Sequence, residues 1–428
     1  MRIAKSALID QDRNELYGIA AIALSFFVFA YSSRFGQISI LAYYGVWFLL
    51  VAADYKKALG SYSRYFWIFT FATFCFVSSF WAPAFGISLR TAIQYLTHVI
   101  CALIAMRTVS VRTLTRGGVV GVALVLVYSI LFGTYTFDSI DGSFGFVGAF
   151  SSKNQLGFYA SLGILFSYAT VMVFGARRLW LAAAGVNALL SAYCLAAAQS
   201  ATSVITTIGI VAICMGMQAF MFFSPKNRRG IFAAALILGF AAVVAALQSG
   251  GIDVILGLFG KDSTLTGRTY LWQNGIEAAA RNPMLGIGYQ SFWVVGFPDA
   301  ERLWDDFGIT GRSGFHFHNT YIETTVETGF IGLLLLVSIL LTTFIGHLKR
   351  LLTFGYTPDS LLLFSVACLL MIRSFVEIDI LNPYHVGSFL FYFAAGKLTA
   401  RQKSTAQPRA KHFGPNQIVQ SQRSVQMG

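Results

Sequence analysis

Two histidines, His316 and His318, precede Asn319 and a pair of carboxylates, Glu323 and Glu327, in a stretch rich in side chains that could do chemistry. A histidine near pH 7 can take a proton from a hydroxyl and so act as a general base. Asn319 is a predicted N-cap, because its side chain can accept hydrogen bonds from the first free N–H groups of a helix. The two carboxylates, four residues apart, would then lie on one face of that helix.

The same residues allow two other interpretations. His316 and His318, two residues apart, could bind a metal ion together with Glu323, but the pattern lacks a third firm ligand. His318 could also be a structural group that only hydrogen-bonds at the helix start. We predict no metal and no cofactor, and spacing alone leaves open whether His318 is catalytic or structural.

A second stretch places Arg268 in the first turn of a predicted helix, which begins at Thr264 or Thr266 and ends at Arg281 before an Asn-Pro pair. A cation at a helix N-terminus is unfavourable for the helix itself. The conflict disappears if a phosphate binds there, because the free N–H groups and the guanidinium would converge on it. Thr266 would then be a further ligand-binding candidate. The alternative is that Arg268 extends to the surface or pairs with Asp262.

Three further cations, Lys153, Arg90 and Arg373, lie near the predicted outer ends of apolar segments. An ionisable group in a membrane span is costly, so it usually faces a cavity or a partner. Arg373 lies four residues before Glu377, and a helical ion pair would explain both residues. Ligand binding explains the three cations equally well, so we treat all three as candidates for substrate binding.

The composition indicates which fold must position these side chains. Of 428 residues, 56% are hydrophobic and only 11% are charged, whereas soluble domains carry about 25% charged residues. With 40 Phe and a mean hydropathy of +0.66, a soluble enzyme, a disordered protein and a nucleic-acid binder are all poor fits. We predict an all-α integral membrane protein with about twelve transmembrane helices, at residues 17–33, 37–53, 65–84, 88–106, 117–135, 155–175, 179–199, 202–223, 231–248, 326–346, 360–380 and 384–397.

The distribution of basic residues predicts the orientation. Most of the 31 Lys and Arg residues fall in the connections on the side of the N-terminus, and basic connections stay in the cytoplasm. Both termini are therefore predicted to be cytoplasmic. The net charge of +13 is a topology signal and does not indicate a nucleic-acid partner.

Four parts follow from this topology. Residues 1–248 hold the first nine spans, 249–325 form an outer loop, 326–400 hold the last three spans, and 401–428 form a disordered basic cytoplasmic tail. A structureless connection as long as the outer loop would be unusual in a compact protein. We therefore predict that this loop is folded, helical and functional.

These residues resemble the O-antigen ligase and Wzy-type polysaccharide polymerase superfamily of bacterial inner membranes. The family pattern of His, then Asn, Ser or Gln, nine residues, Gly, two residues and a small residue is met by His318, Asn319, Gly329 and Gly332. The Thr-Leu-Thr-Gly-Arg-Thr run that contains Arg268, with Asn-Pro-Met-Leu-Gly-Ile-Gly-Tyr after it, looks like the exopolysaccharide polymerases of the succinoglycan type. The resemblance covers roughly residues 140–345.

The sequence departs from the family pattern in two places. The family often has a histidine immediately before the Lys-Asn pair that begins span six, where this chain has Ser152. Many members also carry a basic residue in the outer turn after span seven, where this chain has Ser-Ala-Thr-Ser at 200–203. Lys153, Arg90 or Arg373 could each supply the missing charge, and the sequence does not choose among them.

The resemblance implies a metal-independent, GT-C-like glycosyltransferase with its active site facing the periplasm. Its donor would be undecaprenyl-pyrophosphate-linked oligosaccharide, and membrane lipids would surround it. In this hypothesis Arg268 and Lys153 bind pyrophosphate, His318 acts on the acceptor hydroxyl, and Asn319 fixes the local geometry. A chain-length regulator and a flippase are candidate partners.

Three functions remain as alternatives. A polymerase would join lipid-linked repeat units into exopolysaccharide or O-antigen, and the exopolysaccharide-like run around Arg268 favours it. A ligase would instead move finished glycan onto lipid A-core. A secondary transporter is disfavoured, because transporters place broken helices and charges in matching positions of two repeats, whereas here the polar residues gather at one face.

Overall fold

The computed structural model describes residues 5–60, 62–138, 143–250, 267–354 and 357–399, which are almost entirely helical. The helices are α1 Ser6–Ile9, α2 Glu15–Ala53, α3 Tyr55–Leu59, α4 Phe66–Ser78, α5 Phe85–Thr108, α6 Val111–Phe132, α7 Lys153–Tyr168, α8 Leu179–Ala198, α9 Ala201–Phe220, α10 Pro225–Gln248, α11 Arg268–Arg281, α12 Pro298–Asp306, α13 Thr320–Thr353, α14 Pro358–Arg373 and α15 Val386–Thr399. Strands β1 (Thr134–Asp138) and β2 (Ser143–Gly148) form an antiparallel hairpin between α6 and α7. Short 3-10 or π turns occupy Tyr62–Tyr65, Ser79–Trp81 and Ala169–Val173.

The predicted helical membrane protein is confirmed in outline, since eight of the described helices are long and apolar enough to cross a membrane. Each predicted span falls on a helix, and the first two spans are the two halves of α2. The helical geometry of α2 is interrupted at Tyr31 and at Gly36, whose φ is +63°. α14 ends at Arg373, short of the predicted end at residue 380. The count of twelve spans stays a prediction.

Close packing of α2 on α6 anchors the main apolar core. Glycines on α6 allow the two helices to approach closely: a Cβ atom at Gly121 would lie 2.9 Å from the Ala23 Cα, and one at Gly117 would lie 2.7 Å from the Ile22 Cβ. Small residues at such contacts are how membrane helices gain van der Waals contact. α7 packs on both α6 and α8, so the start of α7 is held firmly against the bundle.

The described part of the predicted outer loop, residues 267–319, is folded and is called the cap below. It contains α11 and α12, and its side chains form an apolar cluster separate from that of the bundle. Leu271, Phe292, Trp304 and Phe317 are buried in this cluster. The cap therefore has its own packed core, which holds the side chains on its surface in place. The side of the membrane that the cap faces stays a prediction.

A kink at Gly329 interrupts α13 where the cap packs against it. Gly329 has φ +65° and ψ −171°, a conformation that only glycine adopts readily. The kink lets backbone groups of α13 pair with the cap: the Phe330 N–H donates to the Pro283 carbonyl, and the Gly288 N–H donates to the Glu327 carbonyl at 2.8 Å. The glycine that completes the family pattern thus has a structural role.

We expect Gly329→Ala to destabilise the folded protein. The backbone strain alone costs about 1–3 kcal/mol for a residue with a side chain, and the new Cβ would lie 2.3 Å from the carbonyl oxygen of Met284. Thermal unfolding of the purified protein in detergent should show a lower midpoint. Gly209→Ala is the matched control, because no described atom beyond the adjacent backbone of α9 lies within 4 Å of the position of that Cβ. An unchanged midpoint for Gly329→Ala would show that the kink is not required.

Candidate functional site

The buried carboxylate of Glu377, in the turn after α14, gathers side chains from three other segments. Its Oε1 accepts a hydrogen bond from Asn154 Nδ2 at 2.7 Å. The same oxygen lies 3.6 Å from Arg268 Nη2 and 3.5 Å from His318 Nδ1, and Oε2 lies 4.0 Å from His316 Nε2. The starts of α7 and α11, the loop before α13 and the turn after α14 therefore meet at one carboxylate.

Asn319 fixes this meeting point, as the predicted N-cap of α13. Its Oδ1 accepts hydrogen bonds from the N–H groups of Tyr321 at 2.9 Å and Ile322 at 3.1 Å. Its Nδ2 donates to the Phe375 carbonyl at 3.0 Å, which ties the start of α13 to the turn after α14. His318, the residue before Asn319, has φ +50°, a left-handed conformation that is costly for histidine. The prediction of a helix cap at Asn319 is confirmed.

Arg268 is the first residue of α11, and its side chain is buried beside Glu377. The cation that is unfavourable at a helix N-terminus is thus balanced by a carboxylate from another segment. Gly267, with φ +75°, occupies the N-cap position that the sequence assigned to a threonine, while the predicted end of the helix at Arg281 is confirmed. Residues outside the described part of the chain include Asp262, Thr264 and Thr266.

A second buried ion pair lies nearby, and it corrects the predicted pairing of Arg373 with Glu377. Because α14 ends at Arg373, the chain turns and presents Asp379 to the guanidinium, with Nε donating to Oδ2 at 2.5 Å. The guanidinium also lies over the Phe158 ring, 4.3 Å from its centroid, and Nη1 lies 3.5 Å from Ser203 Oγ. Glu377 instead lies beside Arg268, His316 and His318.

The structure distinguishes the three cations that could replace the basic residue missing from the turn at 200–203. Arg373 reaches this turn at Ser203. Lys153 is buried at the first position of α7, next to Asn154. Arg90 is exposed on α5, and no described contact joins it to this cluster. Ser200 supports the site in another way, since its hydroxyl donates to Asn154 Oδ1 at 2.8 Å.

Glu323 has a structural role in the loop that carries the histidines. Its carboxylate accepts hydrogen bonds from Trp293 Nε1 at 2.9 Å and from the Phe317 N–H at 2.8 Å. It is therefore not the third ligand of the metal set considered from the sequence. Glu377 takes that place, because one ligand atom each from His316, His318 and Glu377 lie within 4.8 Å of one another.

Two features of this set would weaken the binding of a metal cation. The guanidinium of Arg268 lies 3.6 Å from Glu377 Oε1, where it would repel a cation bound to the same oxygen. Asn154 donates a hydrogen bond to that oxygen as well, so part of its capacity as a ligand is already used. The set could hold a metal by distance, but Arg268 and Asn154 already contact the carboxylate oxygen that would bind it.

Burial and neighbouring charges shift the pKa of two groups in the cluster, His316 and Glu377. Burial lowers the pKa of His316 well below its usual value, aided by His318, so His316 is neutral at pH 7. Its Nδ1 accepts a hydrogen bond from the His318 N–H at 3.0 Å, which places the ring proton on Nε2. Burial by itself would raise the pKa of Glu377, but His318, Arg268 and His316 together lower it below the usual range. The carboxylate is therefore ionised.

Residues 186–337 match the model of the family described as O-Antigen ligase. This range includes Arg268, both histidines of the site and Asn319. The chain belongs to this family, as the resemblance predicted. A nearly full-length relative makes the assignment secure. It is the Exopolysaccharide production protein ExoQ of Rhizobium meliloti (strain 1021), 58% identical over 426 residues that span 97% of this chain and 98% of that protein.

Proposed function

We propose that this chain is an inner-membrane polysaccharide polymerase, which transfers undecaprenyl-pyrophosphate-linked glycan onto a sugar hydroxyl of a lipid-linked repeat unit on the periplasmic side. The observation that carries the proposal is the convergence of Arg268 and His318 on the buried carboxylate of Glu377. The site combines a fixed cation for a phosphate group with an imidazole for a hydroxyl. The name of the relative, a protein of exopolysaccharide production, supports the same class of product.

The transfer is a substitution at the anomeric carbon of the donor sugar. The acceptor oxygen bonds to that carbon while its bond to the pyrophosphate oxygen breaks, and the bonding electrons leave with undecaprenyl pyrophosphate. The hydroxyl proton passes to His318. Because His318 Nδ1 faces Glu377, Nε2 is the nitrogen that takes the proton. The donor already carries its leaving group, so no nucleotide site is required.

Negative charge develops on the pyrophosphate as the bond breaks, and fixed cations stabilise it most where they are already in place. Arg268 is held by Glu377 before substrate arrives. Lys153 begins α7 next to Asn154, and Arg373 lies at the turn that carries a basic residue in many relatives, so each can contribute a second positive charge. We assign Arg268 the principal role and Lys153 and Arg373 supporting roles.

Glu377 is a positioning residue in this proposal. Its ionised carboxylate lies 3.5 Å from His318 Nδ1 and would stabilise the imidazolium that forms when His318 accepts the proton, as a carboxylate does beside histidine in catalytic triads. Asn154 and Ser200 hold the carboxylate in turn through a chain of hydrogen bonds. The carboxylate thus serves both the cation and the base.

We expect transfer to be independent of metal ions. The charge of the leaving group is met by guanidinium groups, and a cation at Glu377 would compete with Arg268. Treatment of the purified protein with EDTA, followed by removal of the chelator, should leave the transfer rate within about two-fold of the untreated protein. If the rate falls and zinc or manganese restores it, His316, His318 and Glu377 become a metal site.

Deletion of the gene tests polymerase against ligase in cells. Single repeat units accumulating on the carrier or on lipid A-core would indicate lost polymerisation. Full-length chains remaining on the carrier would indicate that the chain is a ligase. Uptake of substrate into vesicles with no change in glycan length would instead support transport. A chain-length regulator and a flippase would act beside the polymerase in this scheme, with both of its termini in the cytoplasm.

A further inference from the structure

A polar cavity of about 270 Å³ lies between α11 and α12 in the cap. On the α11 side it is lined by Asn274, Glu277 and Arg281, which share one face of the helix at intervals of three and four residues. On the α12 side it is lined by Asp299 and Arg302. Pockets for whole small-molecule ligands usually begin near 300 Å³. This cavity is slightly smaller, so it would hold only part of a chain-like ligand.

Two polar bridges cross the cavity from α11 to α12. Arg302 Nη2 donates to Asn274 Oδ1 at 2.6 Å, and Arg281 Nη2 pairs with Asp299 Oδ2 at 2.6 Å. Glu277 lies between these bridges along α11, and its exposed carboxylate accepts a hydrogen bond from Gln273, which does not line the cavity. The Glu277 carboxylate therefore keeps acceptor capacity for a ligand.

The chemistry of the lining suits a neutral sugar. The four charged side chains are two carboxylates and two guanidinium groups, so the lining has no net charge to select an anion or a cation. Sugar hydroxyls both donate and accept hydrogen bonds, and the lining offers both kinds of partner. Phe292 and Leu303 close the base of the cavity but are themselves almost completely buried, so binding would depend on the polar side chains of the lining.

The cavity lies at a useful distance from the candidate site. α11 begins at Arg268 in that site and runs away from it. A helix rises 1.5 Å per residue, so Asn274 lies about 9 Å and Arg281 about 20 Å along the axis from Arg268. A glycan whose end sits at the reacting centre could place a later sugar in the cavity.

We propose that this cavity is a glycan subsite, which binds a neutral sugar of the growing chain about 10–20 Å from the reacting centre. The inference rests on the proposed polymerase function and deepens it. Binding at a distance would retain the chain between transfers, so the subsite would govern product length. The transfer step itself would depend on it little.

The test compares Glu277→Ala with Asp305→Ala, an exposed acidic residue of α12 that does not line the cavity. The probes are oligosaccharides of one and of several repeat units, prepared by partial depolymerisation of the polysaccharide that the wild-type gene restores to a deletion strain. Binding to the full-length purified protein is measured by calorimetry. Product length is read from gels after reaction with lipid-linked repeat units.

Glu277→Ala should bind the longer oligosaccharide about 3- to 10-fold more weakly, as expected for the loss of one ordinary hydrogen bond at an exposed position, and should make shorter products. Its initial rate with single lipid-linked units should match that of Asp305→Ala. Equal binding and equal product length in the two variants would overturn the subsite. A parallel loss of initial rate would also overturn it, because the residue would then act on the whole cap.

The two proposals fail in different ways. If the wild-type protein makes no polymer but Glu277→Ala still weakens binding of the longer oligosaccharide, the polymerase function fails and the subsite stands. If the wild-type protein makes polymer and Glu277→Ala behaves as Asp305→Ala, the polymerase stands and the subsite fails.

Discussion

His318→Ala protein should transfer glycan at least about 100-fold more slowly than the wild type, since general-base catalysis typically contributes 10²–10⁴-fold. The alanine removes the nitrogen that takes the acceptor proton, while Asn319 still caps α13 and preserves the local fold. The initial rate of elongation with purified protein is the measurement. The loss should fall on kcat, with KM for the lipid-linked substrate changed little, because the imidazole acts mainly in the transition state.

Ser313→Ala is the control for this loss, because Ser313 is an exposed residue of the same loop. The control should keep the wild-type rate. Circular dichroism should show the same helical content in both variants. A correctly folded His318→Ala protein with a normal rate would remove the catalytic role and leave His318 as a structural residue beside the helix cap.

Arg268→Ala should reduce transfer by about 10²–10³-fold, the typical effect of removing one preorganised group that stabilises developing charge. Arg268→Lys should recover only part of this rate, because lysine keeps the charge but loses the planar fork that matches phosphate. The rates of both variants are measured with the same lipid-linked donor. The order wild type, lysine, alanine is the signature of pyrophosphate binding.

Removal of Arg268 also leaves the buried Glu377 with one fewer cation beside it, so the folded state needs its own control. Arg312→Ala removes an exposed arginine of the cap that pairs with Glu301, and it should have little effect on rate. If Arg268→Ala transfers glycan within about two-fold of Arg312→Ala, pyrophosphate is bound by other residues. Lys153 and Arg373 would then be the next to test.

Much of the helical architecture could be predicted from the sequence, because apolar runs of membrane length have few alternatives. The first two spans were predicted as separate helices, and the non-helical residues Tyr31 and Gly36 do divide α2 near the predicted boundary. The two halves pack against each other, since the Tyr17 hydroxyl donates to the Val46 carbonyl. Hydropathy could not detect the end of α14 at Arg373, since the residues that follow include enough apolar side chains to extend the average.

The site was predicted where its signals are local and missed where they depend on packing. Asn319 and Arg268 were found because capping and helix-end electrostatics act within one turn of the chain. The sequence paired Arg373 with Glu377, but Arg373 pairs with Asp379 and Glu377 lies beside Arg268. Both pairs depend on the conformation of the turn after α14, which the sequence pattern does not indicate. Arg90 was a candidate by position only, and the packing of α5 leaves its side chain exposed.

The central claim is that Arg268, His318 and Glu377 form a site that elongates lipid-linked glycan. The most direct measurement is reaction of the purified protein, reconstituted in liposomes, with lipid-linked repeat units and gel separation of the products. The wild-type protein should convert single units into a ladder of longer chains, while His318→Ala and Arg268→Ala should leave single units. Units that remain single with folded wild-type protein, or a ladder that persists in both variants, would contradict the account.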